Sequence, residues 1–98
     1  MNVSFADADL DRLETDASFN GGWADNVVRT YRKRLQIIRN ASDERDFRAM
    51  KSLHYEKLKG PRQHQHSMRI NDQYRLVIEI MGSGQGKLVT IISIEDYH

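Results

Sequence analysis

The spacing of apolar residues changes along the chain from a helical period to a strand period. Between residues 23 and 41 apolar side chains recur every three or four positions, which predicts one long amphipathic helix. This stripe is best explained by packing in a core, and it comprises Trp23, Val27, Tyr31, Leu35 and Ile38. Basic residues fall largely off the stripe, so the helix is expected to present a basic face to solvent or to an acidic partner.

Shorter patterns flank the long helix. Residues 3–5 alternate as an edge strand would, and Asp7 or Asp9 can cap a short helix that follows. After the long helix, residues 43–50 predict another short helix. The apolar residues that these two helices are expected to bury are Leu10 and Leu13 in the first, and Phe47 and Met50 in the second.

From residue 53 onward the apolar period is two, which predicts strands. The predicted strands run from Leu53 to Leu58, around Met68 and Ile70, from Tyr74 to Met81, and from Leu88 to Ile94. The last of these is apolar on both faces, so a central position in the sheet is expected. Helices followed by strands predict an α+β fold, a small antiparallel β-sheet packed by N-terminal helices, in one domain over residues 1–98.

The register of the hairpin that turns at residues 71–73 follows from which faces are apolar. A two-residue loop would set Met68 opposite Arg75 and mix the faces, whereas a three-residue loop sets Met68 opposite Leu76. The three-residue loop also sets Arg69 opposite Arg75 on the face away from the core. Directly opposed arginines repel one another unless an anion lies between them, so the pair is a candidate phosphate site.

Composition narrows the class of protein. The chain has no cysteine and no apolar run near the ~20 residues of a membrane helix, and its start lacks the pattern of a secretory signal, so a cytoplasmic protein is expected. The net charge of +1 hides a segregation, because residues 1–26 carry six acids and one base, whereas residues 27–98 carry eight acids and 14 bases. Such a basic body is compatible with a polyanionic partner. The histidines have no spacing specific for zinc, so no metal is expected.

One acid lies among the cations of the strand-rich half. Glu56 is the only acidic residue between Asp46 and Asp72, and a carboxylate held near a phosphate can act as a general base. Tyr97 and His98 can supply protons to a leaving oxygen. A base, cations and an acid together suit RNA cleavage by the substrate's own 2′-hydroxyl, without a metal or cofactor. The plainer explanations are a surface ion pair for Glu56, an end-of-strand aromatic for Tyr97 and a frayed terminus for His98.

Three stretches carry a family resemblance. Residues 56–62 (Glu-Lys-Leu-Lys-Gly-Pro-Arg), residues 66–76 and the final Asp96-Tyr97-His98 resemble the HigB branch of the RelE-like toxins. The resemblance implies a small antiparallel sheet packed by N-terminal helices. It also implies cleavage of mRNA, typically in the ribosomal A site, and silencing by a cognate antitoxin that often contains a helix-turn-helix domain.

The resemblance also implies roles for individual residues. Lys59 corresponds to the family's active-site lysine, Arg75 to its phosphate-stabilising arginine, and Asp96, Tyr97 and His98 to its catalytic terminus. A regular strand would point Lys59 away from the site, so the chain is expected to turn at residues 58–60.

The candidate base departs from the family pattern. Where many HigB members carry a histidine, this chain has Glu56, and a glutamate at that offset is the proposed base in the related YoeB group. His54 is expected on the same strand face as an RNA contact or substitute base. The further residues expected to contact RNA are Lys57, Arg62 and Arg69.

Two other classes of function stay open. An inactive toxin relative would bind nucleic acid or an antitoxin as a co-repressor subunit, and a protein-interaction domain would dock its basic helix on an acidic partner. For the toxin, the expected partners are a HigA-like helix-turn-helix antitoxin, mRNA and the ribosome, with operator DNA contacted only through the antitoxin.

Overall fold

A computed structural model describes residues 1–82 and 86–96. Strand β1 (Asn2–Phe5) precedes three α-helices, and four strands follow them among the described residues. The helices are α1 (Ala8–Thr15), α2 (Asp25–Asn40) and α3 (Glu44–Ala49), and the later strands are β2 (Glu56–Lys57), β3 (Gln65–Arg69), β4 (Tyr74–Met81) and β5 (Leu88–Asp96). Short 3₁₀ turns at Lys51–Leu53 and Gly60–Arg62 flank β2. No helix in this part of the chain is long and apolar enough to cross a membrane.

The helices form where the sequence pattern predicted them. Asp7 caps α1 by accepting a hydrogen bond from the Leu10 backbone N–H at 2.9 Å. The α2 stripe is buried from Val27 to Ile38, and its Tyr31 hydroxyl donates to the Leu10 carbonyl at 2.7 Å. This bond joins α1 to α2 inside the core.

The basic face predicted for α2 is largely occupied by partners within the chain. Arg32 donates to the carbonyls of Leu13, Asp16 and Phe19, the residues that end α1 and follow it. Arg39 binds Glu14 through two hydrogen bonds of 2.7 and 2.6 Å. Much of the positive charge of α2 therefore fastens the acidic N-terminal segment.

The sheet has the strand order β1-β5-β4-β3-β2. Strands β2 to β5 pair antiparallel, as predicted, whereas β1 pairs parallel with β5 and makes the sheet mixed. The predicted hairpin register is confirmed, with Met68 opposite Leu76 and Arg69 opposite Arg75. The last strand, β5, lies inside the sheet between β4 and β1, as expected for a strand that is apolar on both faces, and β4 occupies the middle of the sheet.

A bulge explains why β5 is apolar on both faces. Val77 pairs with Ser93 but the next residue, Ile78, pairs with Ile91, so Ile92 is the extra residue of β5. Side-chain alternation is shifted by one residue across the bulge. Residues on both phases of the alternation, Ile91 before the bulge and Ile94 after it, consequently contact the same core.

The segment before β2 differs from the prediction. The strand expected over residues 53–58 is reduced to Glu56–Lys57, because Leu53 ends a 3₁₀ turn and His54 adopts a left-handed conformation with φ 45° and ψ 52°. Leu53 is fully buried in this arrangement. Met50, predicted to be buried, is 40% exposed because Phe47 alone fills the core beneath α3.

Candidate active site

The sheet has an inner face covered by helices and an outer face that carries the polar candidates. Residues paired directly across strands project to the same side, so Arg69, Arg75 and Glu95 share the outer face with Glu56 and Ser67. Lys57 pairs with His66, and His66 pairs with Ile78, which faces the core. Met68, two residues after His66 on β3, faces the core as well. Lys57 therefore lies on the opposite face of the sheet from Glu56. The predicted RNA contacts are thus divided between two faces.

Arg75 is a buried cation held by oxygen atoms. Only 8% of its surface is exposed, and its Nε donates to the Ser67 hydroxyl at 2.8 Å. Its Nη2 donates to the carbonyl of Ser67 at 3.3 Å and to the carbonyl of His54. The left-handed turn at His54 therefore brings a backbone acceptor, the His54 carbonyl, to Arg75. A continuous strand would not do this.

Arg69 faces the same end of the sheet but has different partners. Its guanidinium pairs with Asp72 in the hairpin turn, and its carbonyl accepts a hydrogen bond of 2.8 Å from Arg34 Nε of α2. Burial and the positive charge of Arg69 lower the pKa of Arg34. The repulsion expected between Arg69 and Arg75 is relieved by separate partners, and Arg34 adds a third guanidinium to the cluster.

A shallow cavity of about 280 Å³ opens at this end of the outer face. Its lining residues are His54, Arg69, Asn71, Asp72, Gln73 and Arg75. Asn71 shapes the turn, because its Oδ1 accepts from the backbone N–H groups of Gln73 and Tyr74, both at 2.8 Å. The Asp72 side chain is 97% exposed, so an incoming anion could replace it on Arg69 at small cost.

The carboxyl end of β5 reaches the same turn. Asp96 pairs with Tyr74, and its Oδ2 accepts a hydrogen bond of 3.0 Å from Gln73 Nε2. Asp96 thereby adjoins a residue that lines the cavity. The predicted catalytic residues Tyr97 and His98 lie outside the described residues.

A loop, residues 58–64, crosses the outer face, and we call it the strap. Arg62 reaches past β3 and β4 to bind both oxygens of Glu95 on β5, at 2.8 and 2.6 Å. His64 Nε2 lies 3.0 Å from Glu79 Oε1 on β4. Val77, which lies on this face between Arg75 and Glu79 of β4, is also buried. The hydrogen bond from Arg62, supported by one from Ser93, holds the pKa of Glu95 below its usual value.

Comparison with known proteins identifies the family. A sequence-family model, that of the RelE-like toxin HigB of type II toxin–antitoxin systems, matches residues 3–98. The chain belongs to the HigB-like toxins. Its fold is similar to that of a YoeB/ParE toxin from Agrobacterium tumefaciens, with a TM-score of 0.61 and 24% identity over 100% of both chains. No curated protein sequence matches it. Membership of a type II toxin family implies that this chain has an antitoxin partner.

The toxin brings together only some of the residues predicted from sequence. His54, Arg69 and Arg75 line the cavity, and Asp96 adjoins it. Glu56 and Lys59 are exposed and do not line it. The β2–β3 pairing extends through a backbone hydrogen bond from Leu58 to Gln65, and the chain turns at Gly60, where φ is 67°. The expectation that His54 and Glu56 lie along one strand face was wrong, because His54 precedes β2 in a left-handed turn.

Sequence patterns did not indicate Ser67, Arg34 or Gln73 as parts of the site. Ser67 occupies an ordinary polar position of an alternating strand, and Arg34 belongs to a helix rich in bases. Their contacts join segments distant along the chain, which no local period reports. Among residues 1–82 and 86–96, no group of three or more His, Cys, Asp or Glu side chains is arranged to hold a metal ion.

Proposed function

We propose that this toxin is an endoribonuclease that cleaves mRNA by attack of the substrate's own 2′-hydroxyl on the adjacent phosphodiester. The observation that carries the proposal is the cavity shared by Arg75, Arg69 and His54. Guanidinium groups bind phosphate oxygens in a bidentate manner, and a preformed cationic site stabilises the charge that develops on phosphorus. Family membership supports the same chemistry.

In the proposed reaction a base removes the 2′-hydroxyl proton, and the oxygen attacks phosphorus to give a pentacovalent intermediate. Arg75 and Arg69 stabilise its negative charge. The bond to the 5′-oxygen then breaks while an acid protonates that oxygen, leaving a 2′,3′-cyclic phosphate and a 5′-hydroxyl. Each step uses groups of the protein and the RNA and requires no cofactor.

The position of His54 favours it as the base. His54 lines the cavity beside the two arginines, and an imidazole is a common general base in proteins. Glu56 lies on the exposed edge strand and remains the alternative base. The variants His54→Gln and Glu56→Gln separate these assignments, because the larger loss of single-turnover rate identifies the base.

The remaining roles are assigned from the family pattern. We place Tyr97 and His98 as the groups that orient the phosphate and protonate the leaving oxygen, after Asp96, which Gln73 binds. Lys59, Lys57 and Arg62 are proposed to contact the RNA backbone. Because Arg62 already binds Glu95, its contact would require a phosphate to compete for the guanidinium.

The antitoxin is proposed to be a HigA-like helix-turn-helix protein that links the toxin to operator DNA. Arg29 and Lys33 are exposed on α2, whose other bases are largely engaged, and are the proposed contacts for an acidic segment of that antitoxin. The ribosome is proposed as the place of cleavage, which assigns the toxin to the cytoplasm.

The decisive experiment compares the parent toxin with Arg75→Ala for growth arrest and for mRNA cleavage by the purified protein. Loss of a preorganised charge donor should reduce cleavage about 10²–10³-fold and abolish toxicity. Arg45→Ala, which removes an exposed arginine of α3, is the control and should keep full activity. A folded Arg75→Ala protein with parental cleavage would refute the site. A parent chain that neither cleaves nor arrests growth, yet binds its antitoxin, would support a co-repressor subunit instead.

A further inference from the structure

Ser67 is a polar residue at a position that an apolar residue would ordinarily occupy. It lies in the middle of β3 with 0% of its surface exposed, between Glu56 of β2 and Val77 of β4. A buried strand position favours β-branched or aromatic side chains, and a buried hydroxyl costs free energy unless it is hydrogen-bonded. The described partner of this hydroxyl is Arg75 Nε at 2.8 Å.

The contacts of Arg75 hold two of its guanidinium nitrogens, Nε and Nη2, and thereby orient the plane of the group. Nε donates to the Ser67 hydroxyl, and Nη2 donates to the carbonyls of Ser67 and His54. A guanidinium is planar and its donors form a rigid fork, so anchoring two nitrogens determines where the remaining N–H groups point. One of the two residues that hold it, His54, also lines the cavity.

We propose that Ser67 is a positioning residue for cleavage, which aims Arg75 at the phosphate through its hydroxyl. This inference rests on the proposed function. Ser67 does not line the cavity, so it acts through Arg75 and not by touching the RNA. Without the hydroxyl, Arg75 keeps its charge and the two carbonyl contacts of Nη2 but loses the anchor at Nε. Its guanidinium plane is then held less firmly, and less of the population stabilises the pentacovalent intermediate.

The test is a double-mutant cycle on the purified toxin with Ser67→Ala, Arg75→Ala and the double variant. The measurements are single-turnover cleavage and affinity for an RNA with a 2′-deoxy nucleotide at the cleavage position. Ser67→Ala should lower the cleavage rate about ten- to a hundredfold, the range for a hydrogen bond to a charged group, with a smaller loss of affinity. In the Arg75→Ala background it should cause no further loss, because the group through which it acts is gone.

A matched control removes another hydroxyl from the same sheet. Ser4 Oγ and Thr90 Oγ1 lie 2.8 Å apart in the pairing of β1 with β5, which is remote from the cavity, and Ser4→Ala should leave the cleavage rate unchanged. A spectroscopic measurement adds a readout besides activity. Hydrogen exchange of the Arg75 Nε–H should accelerate in Ser67→Ala and stay slow in Ser4→Ala.

The outcomes separate this inference from the proposed function. If Arg75→Ala is inactive while folded Ser67→Ala cleaves within about twofold of the parent, the positioning role is refuted and the active site stands. Equal losses from Ser67→Ala in both backgrounds would also refute it, since they indicate a general structural role. If Arg75→Ala cleaves like the parent, both ideas fail. Should Ser67→Ala not fold, Ser67→Cys keeps the shape of the side chain, with a larger atom that is a weaker acceptor, and should give an intermediate loss in the same cycle.

Discussion

The ion pair between Arg62 and Glu95 should hold the strap on the outer face with a coupling free energy of about 1 kcal/mol. Exposed pairs contribute about 0.2–1 kcal/mol, and two parallel hydrogen bonds place this pair at the upper end of that range. The side chains are 44% and 32% exposed, so solvent screening keeps the value below that of a buried pair.

Urea unfolding of the parent, Arg62→Gln, Glu95→Gln and the double variant measures this coupling. Each single variant should lower the unfolding midpoint by about 0.5–1 M urea, given the slope expected for a chain of this size. The pair between Arg12 and Asp16 is the control cycle, because its single contact of 3.3 Å is more exposed and should show a smaller coupling. High salt should reduce both.

The coupling free energy between Arg62 and Glu95 should decrease as the pH falls. Because Arg62 lowers the pKa of Glu95 in the folded state, the contribution is complete above the carboxyl's ordinary value near 4.5. It disappears as the pH falls through the lowered folded value and Glu95 becomes protonated. A cycle with no coupling at neutral pH, or with coupling that survives full protonation of Glu95, would show that backbone contacts hold the strap without the ion pair.

Three further predictions concern His66, His54 and the exposed bases of α2. Burial lowers the pKa of His66 in the folded state, so the unfolded chain binds the imidazole proton at a higher pH than the folded chain does. The free energy of unfolding should therefore fall as the pH drops through the ordinary value of about 6.5 and towards the lowered folded value, and His66→Phe should flatten that slope in urea titrations. His54→Gly should be more stable than His54→Ala by about 1 kcal/mol, because glycine adopts the left-handed conformation without strain; equal unfolding midpoints would contradict this. Replacing Arg29 and Lys33 by glutamate should weaken antitoxin binding and its salt dependence in calorimetric titrations, and unchanged affinity would place the antitoxin elsewhere.

The hairpin register could be predicted because an error in it has a large physical cost. A slip of one residue would set Leu76 and Ile78 of β4 on the opposite face from Met68 of β3, so the apolar pattern alone selected the pairing that the structure has. The apolar pattern of β5 selects no single register, because the extra residue Ile92 shifts the alternation midway. A bulge leaves both faces apolar in sequence, and that pattern is also what a central strand produces.

The candidate site was less predictable because its geometry depends on distant contacts. The family pattern indicated Arg75 and Asp96, but not the oxygens that orient Arg75. Arg62 and Glu95 are 33 residues apart, and nothing local in either segment indicates their pairing. The left-handed turn at His54 was hidden because an alternating apolar pattern at Leu53 and Tyr55 resembles a strand.

This left-handed turn links the fold of the toxin to its proposed chemistry. A continuous strand through residues 53–58 would satisfy the His54 carbonyl within the sheet ladder. The turn instead directs that carbonyl to Arg75, and His54 lines the cavity. Strained non-glycine conformations persist only where the surrounding structure supports them, and here the fully buried Leu53 fixes the preceding turn. The residue that directly follows this core leucine therefore supplies both the candidate base and one acceptor of the candidate phosphate-binding arginine.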